Sequence, residues 1–270
     1  MPVVITVAPT GPIATKSDNQ ALPTSPEEIA DAVADAHAAG AAIAHIHLRD
    51  ERQRPTADLK IAERVVGLIG DRCPILVQLS TGVGLAVPFE DRARLVELKP
   101  AMATLNPCTM SFAGTEFRNP PADVRRLAAR MRDLGIKPEL EIYDTGHLDE
   151  CLRLRDEGLL EGDLQFSIVM GVRGGMAATP ENLMTLVPRL PEGAIWQIIA
   201  IGKNNLSLTA IALALGGNAR AGMEDTLHVR RGELASSNVQ LVERAVGLAT
   251  GLELTIADVP MAREQLGLGA

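Results

Sequence analysis

The chain alternates between short apolar runs and longer amphipathic segments, and this alternation restricts the folds that it can adopt. Eight apolar runs have the length and composition of buried strands: Val3–Ala8, Ala42–Leu48, Ile75–Ser80, Ala101–Asn106, Glu139–Tyr143, Leu164–Met170, Ala194–Ile201 and Asn218–Met223. Eight segments of helical periodicity lie between and after them: Pro26–Ala39, Leu59–Ile69, Phe89–Leu98, Pro121–Leu134, Leu148–Glu157, Pro180–Leu190, Leu206–Leu215 and Ser237–Gly251. This strict alternation, with strands apolar enough to be buried on both faces, predicts a (β/α)8 TIM barrel.

An open doubly wound sheet is the alternative arrangement of the same units. The turn after the first strand reads Ala8-Pro9-Thr10-Gly11-Pro12 and does not contain the Gly-x-Gly-x-x-Gly pattern of dinucleotide-binding sheets. Barrels of about 250 residues form one domain, and neither a Ser/Gly/Pro-rich linker nor a block of like charge divides this sequence. We therefore expect residues 1–270 to form a single barrel domain, with its chemistry at the strand ends.

Charge and composition exclude several classes of partner. The 26 basic and 34 acidic residues are interspersed and give a net charge of −8, so no basic stripe is available for nucleic acid or an anionic membrane. One Trp, one Tyr and four Phe offer no stacking platform for unpaired bases. No apolar run reaches the roughly 18 residues of a membrane span, and the chain does not start with a basic signal-peptide segment. Three widely spaced cysteines argue against a disulfide framework and favour the cytoplasm: Cys73, Cys108 and Cys151.

Two histidines lie near the end of the second predicted strand, in the run Ala44-His45-Ile46-His47-Leu48. Side chains alternate along a strand, so His45 and His47 face the barrel interior together. Two imidazoles on one inward face suit zinc. The alternative is that both are buried polar groups with partners of their own.

The eighth strand ends in a run that contains Arg220, Glu224 and Asp225. In a closed barrel this strand lies two places from the second one, and neighbouring strands are about 4.8 Å apart, so Glu224 can reach the same ion as the histidines. Two His and one Glu leave a position open for water or substrate, as catalytic zinc sites do. The alternative for these three residues is an ion-pair cluster at the surface.

Four segments resemble the signatures of the beta-keto acid cleavage enzyme family. They are Ile5-Thr6-Val7-Ala8-Pro9-Thr10-Gly11, Leu22-Pro23-Thr24-Ser25-Pro26-Glu27-Glu28, His45-Ile46-His47-Leu48-Arg49-Asp50 and Gly216-Gly217-Asn218-Ala219-Arg220-Ala221-Gly222-Met223-Glu224-Asp225. The resemblance implies a zinc-dependent (β/α)8 barrel, a homotetramer, and condensation of a β-keto acid with acetyl-CoA to give acetoacetate and a new acyl-CoA. It covers nearly the whole chain.

The resemblance also implies roles for individual residues. Its zinc ligands are His45, His47 and Glu224, which agrees with the spacing, and its catalytic pair is Arg220 and Asp225. Its keto-acid pocket corresponds to three residues at the ends of strands three, four and five: Ser80, Thr104 and Glu141. For the two hydroxyls, a local bond to the backbone is the alternative. An inward carboxylate needs a cation or a donor, which favours a role for Glu141 in the site.

One departure from the family concerns the substrate. The founding enzyme, which cleaves 3-keto-5-aminohexanoate, has a Glu that binds the amino group, whereas this sequence has Ile13 in that position. Without that carboxylate, a neutral or apolar β-keto acid is the expected substrate. Lys16 could instead meet an anionic tail, although a loop lysine is more often solvated.

Acetyl-CoA requires groups that bind phosphate. Gly171-Val172-Arg173-Gly174-Gly175 follows the sixth strand and Gly202-Lys203-Asn204-Asn205 the seventh, and phosphate sites of barrels favour the late loops. Arg173 and Lys203 are therefore the candidate phosphate contacts, with ordinary glycine-rich turns as the alternative. Two other functions remain open, namely a metal-dependent lyase or aldolase that does not use CoA, and a non-catalytic barrel that binds small acids.

Overall fold

A closed barrel of parallel strands forms the centre of the computed structural model, which describes residues 1–269. Within that range the barrel has eight strands: β1 (Ile5–Val7), β2 (Ile43–Ile46), β3 (Leu76–Leu79), β4 (Met102–Leu105), β5 (Lys137–Ile142), β6 (Gln165–Met170), β7 (Ile195–Ala200) and β8 (Asn218–Ala221). Each strand pairs with the next, and β8 closes the barrel on β1 with Thr6 opposite Arg220. The predicted (β/α)8 barrel is confirmed, and every predicted strand overlaps one barrel strand.

One helix follows each barrel strand, and a further helix lies near the end of the chain. Among the described residues the helices are α1 (Pro26–Ala38), α2 (Leu59–Arg72), α3 (Phe89–Ala93), α4 (Pro121–Asp133), α5 (Thr145–Asp156), α6 (Pro180–Leu186), α7 (Asn205–Ala214), α8 (Asn238–Gly251) and α9 (Val259–Gln265). Short 3-10 turns extend α3 and α6 and precede α7: Arg94–Leu98, Val187–Arg189 and Gly202–Asn204. Each predicted helix is present, whereas α9 was not predicted.

The helix starts follow local capping chemistry. At α1, Ser25 Oγ accepts the backbone N–H of Glu28 at 3.2 Å, and the Glu28 carboxylate accepts the backbone N–H of Ser25 at 3.1 Å. This reciprocal pair is a capping box, and proline occupies the first turn. At α6, Thr179 Oγ1 accepts the backbone N–H of Asn182 at 3.3 Å. These starts depend on neighbouring residues and can be predicted from sequence.

The two ends of the barrel interior differ in polarity. At the N-terminal end, apolar side chains pack against α9 and close the barrel: Val4, Ile43, Leu76, Met102 and Ile195. Nearer the C-terminal end the interior is polar, and these side chains are buried: His45, Gln78, Thr104, Glu139, Ser167, Gln197 and Arg220. Buried polar groups need partners, so this half of the barrel is where ligands are expected.

Two hairpins that the sequence did not reveal rise from the C-terminal end of the barrel. One joins Met110–Phe112 to Thr115–Phe117 after β4, and the other joins His228–Arg230 to Glu233–Leu234 after β8. In the first hairpin, Ala113 and Gly114 have φ of 51° and 92°, the left-handed backbone of a tight two-residue turn. An Ala-Gly pair is a weak turn signal, so the hairpin was missed.

No helix within residues 1–269 is both long enough and apolar enough to cross a lipid bilayer.

Candidate metal and active site

A cavity of about 1270 Å³ opens at the C-terminal end of the barrel. Eight of the predicted site residues line it: His47, Ser80, Glu141, Arg173, Lys203, Arg220, Glu224 and Asp225. His45 lies below the cavity floor with no exposed surface. The barrel therefore brings residues from β2, β3, β5, β8 and the late loops to one opening.

His45, His47 and Glu224 form a compact cluster of possible ligands. Nε2 of His45 lies 3.5 Å and Nε2 of His47 lies 3.6 Å from Oε1 of Glu224. On the opposite side of each ring, Nδ1 faces a carbonyl oxygen. Nδ1 of His45 lies 2.7 Å from Oε1 of Gln78, and Nδ1 of His47 lies 3.2 Å from the backbone oxygen of Val83. Because a carbonyl oxygen only accepts, Nδ1 of each ring carries a hydrogen, and Nε2 is the nitrogen that faces the carboxylate.

Two atoms of this cluster are buried without a partner. His45 Nε2 and Glu224 Oε2 have no hydrogen-bond partner among residues 1–269. Two imidazole nitrogens and one carboxylate oxygen, all within 4.8 Å of one another, are the donor set of catalytic zinc sites. The residues present therefore fit a zinc ion.

Arg220 connects this cluster to two further acids. Its Nε and Nη2 atoms donate to the two carboxylate oxygens of Asp225 at 3.0 and 2.6 Å, a bidentate pair. Nη2 also donates to Oε1 of Glu224 at 2.6 Å, and Nη1 lies 3.9 Å from Oε1 of Glu141. The predicted catalytic pair is thus formed in the structure, and it contacts a predicted metal ligand directly.

The pKa values of the cluster reflect its excess of negative charge. Burial opposes protonation of His45, but the charge of Glu224 and the contacts with the Glu139 and Glu224 carboxylates together outweigh it and raise the pKa of His45 to about 10. Burial and the charge of Glu139 raise the pKa of Glu141 to about 7. Both shifts favour the protonated forms of His45 and Glu141, because protonation reduces the excess of negative charge among the buried carboxylates. Burial lowers the pKa of His47 to about 4, so that imidazole is neutral, as a metal ligand must be.

The two predicted hydroxyls have different positions. Ser80 lines the cavity, and its Oγ also accepts the backbone N–H of Gly82 at 3.3 Å. Thr104 is fully buried, its Oγ1 accepts the backbone N–H of Thr81 at 2.9 Å, and it is absent from the cavity lining in the described part of the chain. The structure therefore does not bring Thr104 to the cavity.

Asn106 contacts Glu141, a residue of the cavity lining, and sequence reasoning missed it. It lies two residues after Thr104, on the same face of the chain, and its Nδ2 donates to Oε2 of Glu141 at 2.9 Å. Asn106 Oδ1 is buried without a hydrogen-bond partner within residues 1–269. The alternation of side chains along β4 was a signal that could have identified it.

One wall of the cavity is apolar. Its side chains pack into one cluster that reaches from the loop after β3 to the end of β7: Leu85, Phe112, Phe117, Tyr143, Val169, Val172, Ile199 and Ile201. The rings of Phe112 and Tyr143 meet edge to face at 6.0 Å. Phe112 and Phe117 belong to the first hairpin, so this part of the wall could not be predicted from the strand pattern.

Exposed cations lie on another part of the cavity rim. They come from the loops after β6 and β7 and from the second hairpin: Arg173, Lys203, Arg230 and Arg231. Lys16 is absent from the cavity lining in the described part of the chain, and its Nζ donates to Oε1 of Glu28 at 2.7 Å. The sequence therefore identified half of this basic rim.

The loop after β1 is held at the mouth by a buried arginine. Arg49 donates to the carbonyl oxygens of Gly11 and, at 2.9 Å, of Ala14. Ile13, between these two residues, lines the cavity and is 64% exposed. An apolar side chain with that exposure is available to contact a ligand.

Gly11 should be essential for the position of Glu224. A Cβ at residue 11 would lie 2.5 Å from Cγ of Glu224, which is closer than carbon atoms approach. We expect Gly11→Ala to displace the Glu224 side chain and to weaken zinc binding about tenfold or more, by analogy with the loss of a group that orients a ligand. Competition with a chromophoric chelator measures this. The control is Gly67→Ala on α2, where a Cβ meets nothing within 4 Å; equal zinc affinity in both variants would contradict the prediction.

Comparison with known proteins gives a consistent result. Residues 2–268 match the family described as beta-keto acid cleavage enzyme. A 3-keto-5-aminohexanoate cleavage enzyme of Fusobacterium nucleatum is 35% identical over 268 residues, 98% of each chain. A 3-oxoadipate:acetyl-CoA acetyltransferase of Cupriavidus necator is 33% identical over 271 residues, 99% of this chain and 95% of the other. The structure of ObcA with a C4-CoA adduct and oxalate has a TM-score of 0.78 at 21% identity, covers 91% of this chain and 67% of the other, and shows the shared fold.

Proposed function

Because the chain belongs to the beta-keto acid cleavage enzyme family, we propose that it converts a β-keto acid and acetyl-CoA into acetoacetate and a new acyl-CoA. The observation that carries this proposal is the contact of the Arg220–Asp225 pair with Glu224, which also faces both histidines. A site that binds a cation beside a fixed guanidinium suits an anionic, oxygen-rich substrate.

We propose zinc as the cation, held by His45, His47 and Glu224. When bound there, zinc supplies Lewis acidity that stabilises negative charge on the oxygens of a keto acid. The contacts of Nδ1 with Gln78 and Val83 orient both rings so that each Nε2 atom points towards Glu224.

Arg220 and Asp225 are proposed to act as one unit in removing the C2 proton of the keto acid. Asp225 orients the guanidinium through two bonds and takes the C2 proton on its carboxylate, whose pKa is raised by burial, while the guanidinium stabilises the carbanion charge that forms on the substrate. C2 then bonds to the acetyl carbon of acetyl-CoA, and the thiolate leaves. The thiolate adds to the original keto carbonyl, the C2–C3 bond of the substrate breaks to release the new acyl-CoA, and C2 takes the proton back from Asp225 to complete acetoacetate.

We propose a neutral or apolar tail for the substrate. The apolar wall that contains Phe112 and Tyr143 lies beside the charged cluster, and Ile13 adds an apolar side chain at the mouth. A charged tail would lose hydration against these apolar surfaces.

Ile13→Glu should shift the substrate preference towards an amino-substituted keto acid. A carboxylate at this exposed position would pair with the ammonium of 3-keto-5-aminohexanoate. A partly exposed ion pair contributes roughly 1 kcal/mol, so kcat/KM for this substrate should rise by about fivefold. Ile13→Gln is the matched control, since it adds polarity without charge. If both variants change kcat/KM for 3-keto-5-aminohexanoate equally, the side chain at position 13 does not determine which substrate tail is preferred.

Arg173 and Lys203 are proposed as contacts for the phosphates of acetyl-CoA. They lie on the rim with Arg230 and Arg231, at the late loops where barrels bind phosphate.

The proposal also includes one domain over residues 1–270, a homotetramer and a cytoplasmic location. The family resemblance and the cysteine content support these three points.

A substrate panel tests the whole proposal. The purified chain, with zinc, is incubated with acidic, amino-substituted and alkyl β-keto acids, each with and without acetyl-CoA, and acetoacetate is measured. Acetoacetate that depends on acetyl-CoA is the expected result. Cleavage without acetyl-CoA would indicate the lyase or aldolase instead, and binding without turnover would indicate a non-catalytic barrel.

A further inference from the structure

A buried carboxylate below the cavity has no role in the proposed reaction. Glu139 on β5 has no exposed surface and does not line the cavity in the part of the chain that the structure describes. Its Oε1 accepts hydrogen bonds from Ser167 Oγ on β6 and, at 2.8 Å, from Gln197 Nε2 on β7. Gln197 Nε2 also contacts Ser167 Oγ at 2.9 Å, so the two donors hold each other in place.

The other oxygen of Glu139 faces a histidine of the metal cluster. Oε2 lies 3.7 Å from Nδ1 of His45 across the barrel interior and has no hydrogen-bond partner within the described range. A buried carboxylate is unfavourable by several kcal/mol unless positive charge lies near it. An imidazole that binds a cation through Nε2 becomes more positive at Nδ1, which is the side that Glu139 faces.

Gln78 completes the arrangement under His45. Its Oε1 contacts Nδ1 at 2.7 Å and fixes the tautomer, whereas Glu139 contributes a full negative charge at longer range. One neighbour thus sets the direction of the ring and the other stabilises the charge that the ring acquires.

We propose that Glu139 is a positioning residue that strengthens cation binding by the His45, His47 and Glu224 set, acting through His45. This inference rests on the proposed metal site and not on the proposed reaction. Glu139 contacts neither the cavity nor the substrate, and its effect is exerted on the affinity for the ion.

The test is a zinc titration of the full chain in which Glu139 is replaced by Gln. Gln keeps the shape of the side chain but removes the charge. After removal of metal by a chelator, zinc affinity is measured by competition with a chromophoric chelator. We expect Glu139→Gln to bind zinc about 10- to 100-fold more weakly, the usual effect of removing the partner of a metal-binding histidine. At saturating zinc, KM for the keto acid should be unchanged.

Gln165→Met is the matched control, because Gln165 is also buried inside the barrel and its Oε1 makes no hydrogen bond to any described residue. It should keep the zinc affinity of the unaltered chain. If Glu139→Gln does not fold, Gln197→Met, which removes one donor to Glu139 but keeps the charge, should weaken zinc binding by a smaller factor.

Three results would overturn the inference. The first is a zinc affinity of Glu139→Gln equal to that of the control. The second is complete loss of zinc binding in Glu139→Gln with retention in Glu224→Gln, because the ion would then lie among His45, Glu139 and Glu141, which are also within 4.8 Å of one another. The third is an unaltered chain that does not bind zinc. A chain that binds zinc as expected but forms no acetoacetate would contradict only the proposed reaction.

Discussion

Replacement of Glu224 by Gln is expected to abolish zinc binding and acyl transfer together. The amide keeps the shape of the side chain but loses the charge that faces His45 and His47, and it no longer pairs with Arg220. A metal Lewis acid contributes several kcal/mol, so acetoacetate formation should fall by about a thousandfold. Metal content after dialysis and the rate of acetoacetate formation are the two measurements.

The control for this variant is Glu243→Gln, the same change at an exposed position on α8. It should keep both zinc and activity. Full activity of a zinc-free Glu224→Gln preparation would refute the assignment of Glu224 and the requirement for a metal.

Replacement of Arg220 by Met is expected to have the largest effect on folding. Arg220 is 3% exposed and donates to Asp225 and Glu224, so its loss leaves buried carboxylates without a counter-charge. Removing one partner of a buried ion pair lowers the free energy of unfolding by about 3–5 kcal/mol. Urea unfolding followed by circular dichroism measures this, and acyl transfer should be lost as well. Arg153→Met is the control, because Arg153 pairs with Glu150 while its side chain is 62% exposed, and the expected change is below about 1 kcal/mol.

A second substitution tests whether the loss of stability in Arg220→Met comes from uncompensated charge or from lost packing. Asp225→Leu in the Arg220→Met background removes one of the stranded carboxylates, so the double variant should recover part of the lost stability while remaining inactive. The two changes should therefore be non-additive in the free energy of unfolding. Additive losses would show that packing, and not charge, accounts for the effect.

Site residues that follow strand alternation could be predicted from the sequence, whereas those on the hairpin after β4 could not. His45 and His47 face inward because side chains alternate along β2, and Asn106 follows from the same rule on β4. The same rule placed Thr104 inside the barrel, but it did not show that Thr104 is completely buried and, among the described residues, absent from the cavity lining. Phe112 reaches the cavity through a hairpin whose Ala-Gly turn has little local signal.

The eight strand–helix units, the helix caps and the inward direction of His45 and His47 can be predicted from the sequence, because period-two alternation and capping depend on residues close together in the chain. The contacts between distant groups appear only in the folded barrel: Arg220 with Glu224 and Glu141, Gln78 with His45, and Glu139 with His45. These contacts depend on the register between neighbouring strands, which is fixed when β8 pairs with β1 and closes the barrel. That register is a property of the whole barrel and is not encoded by any local segment.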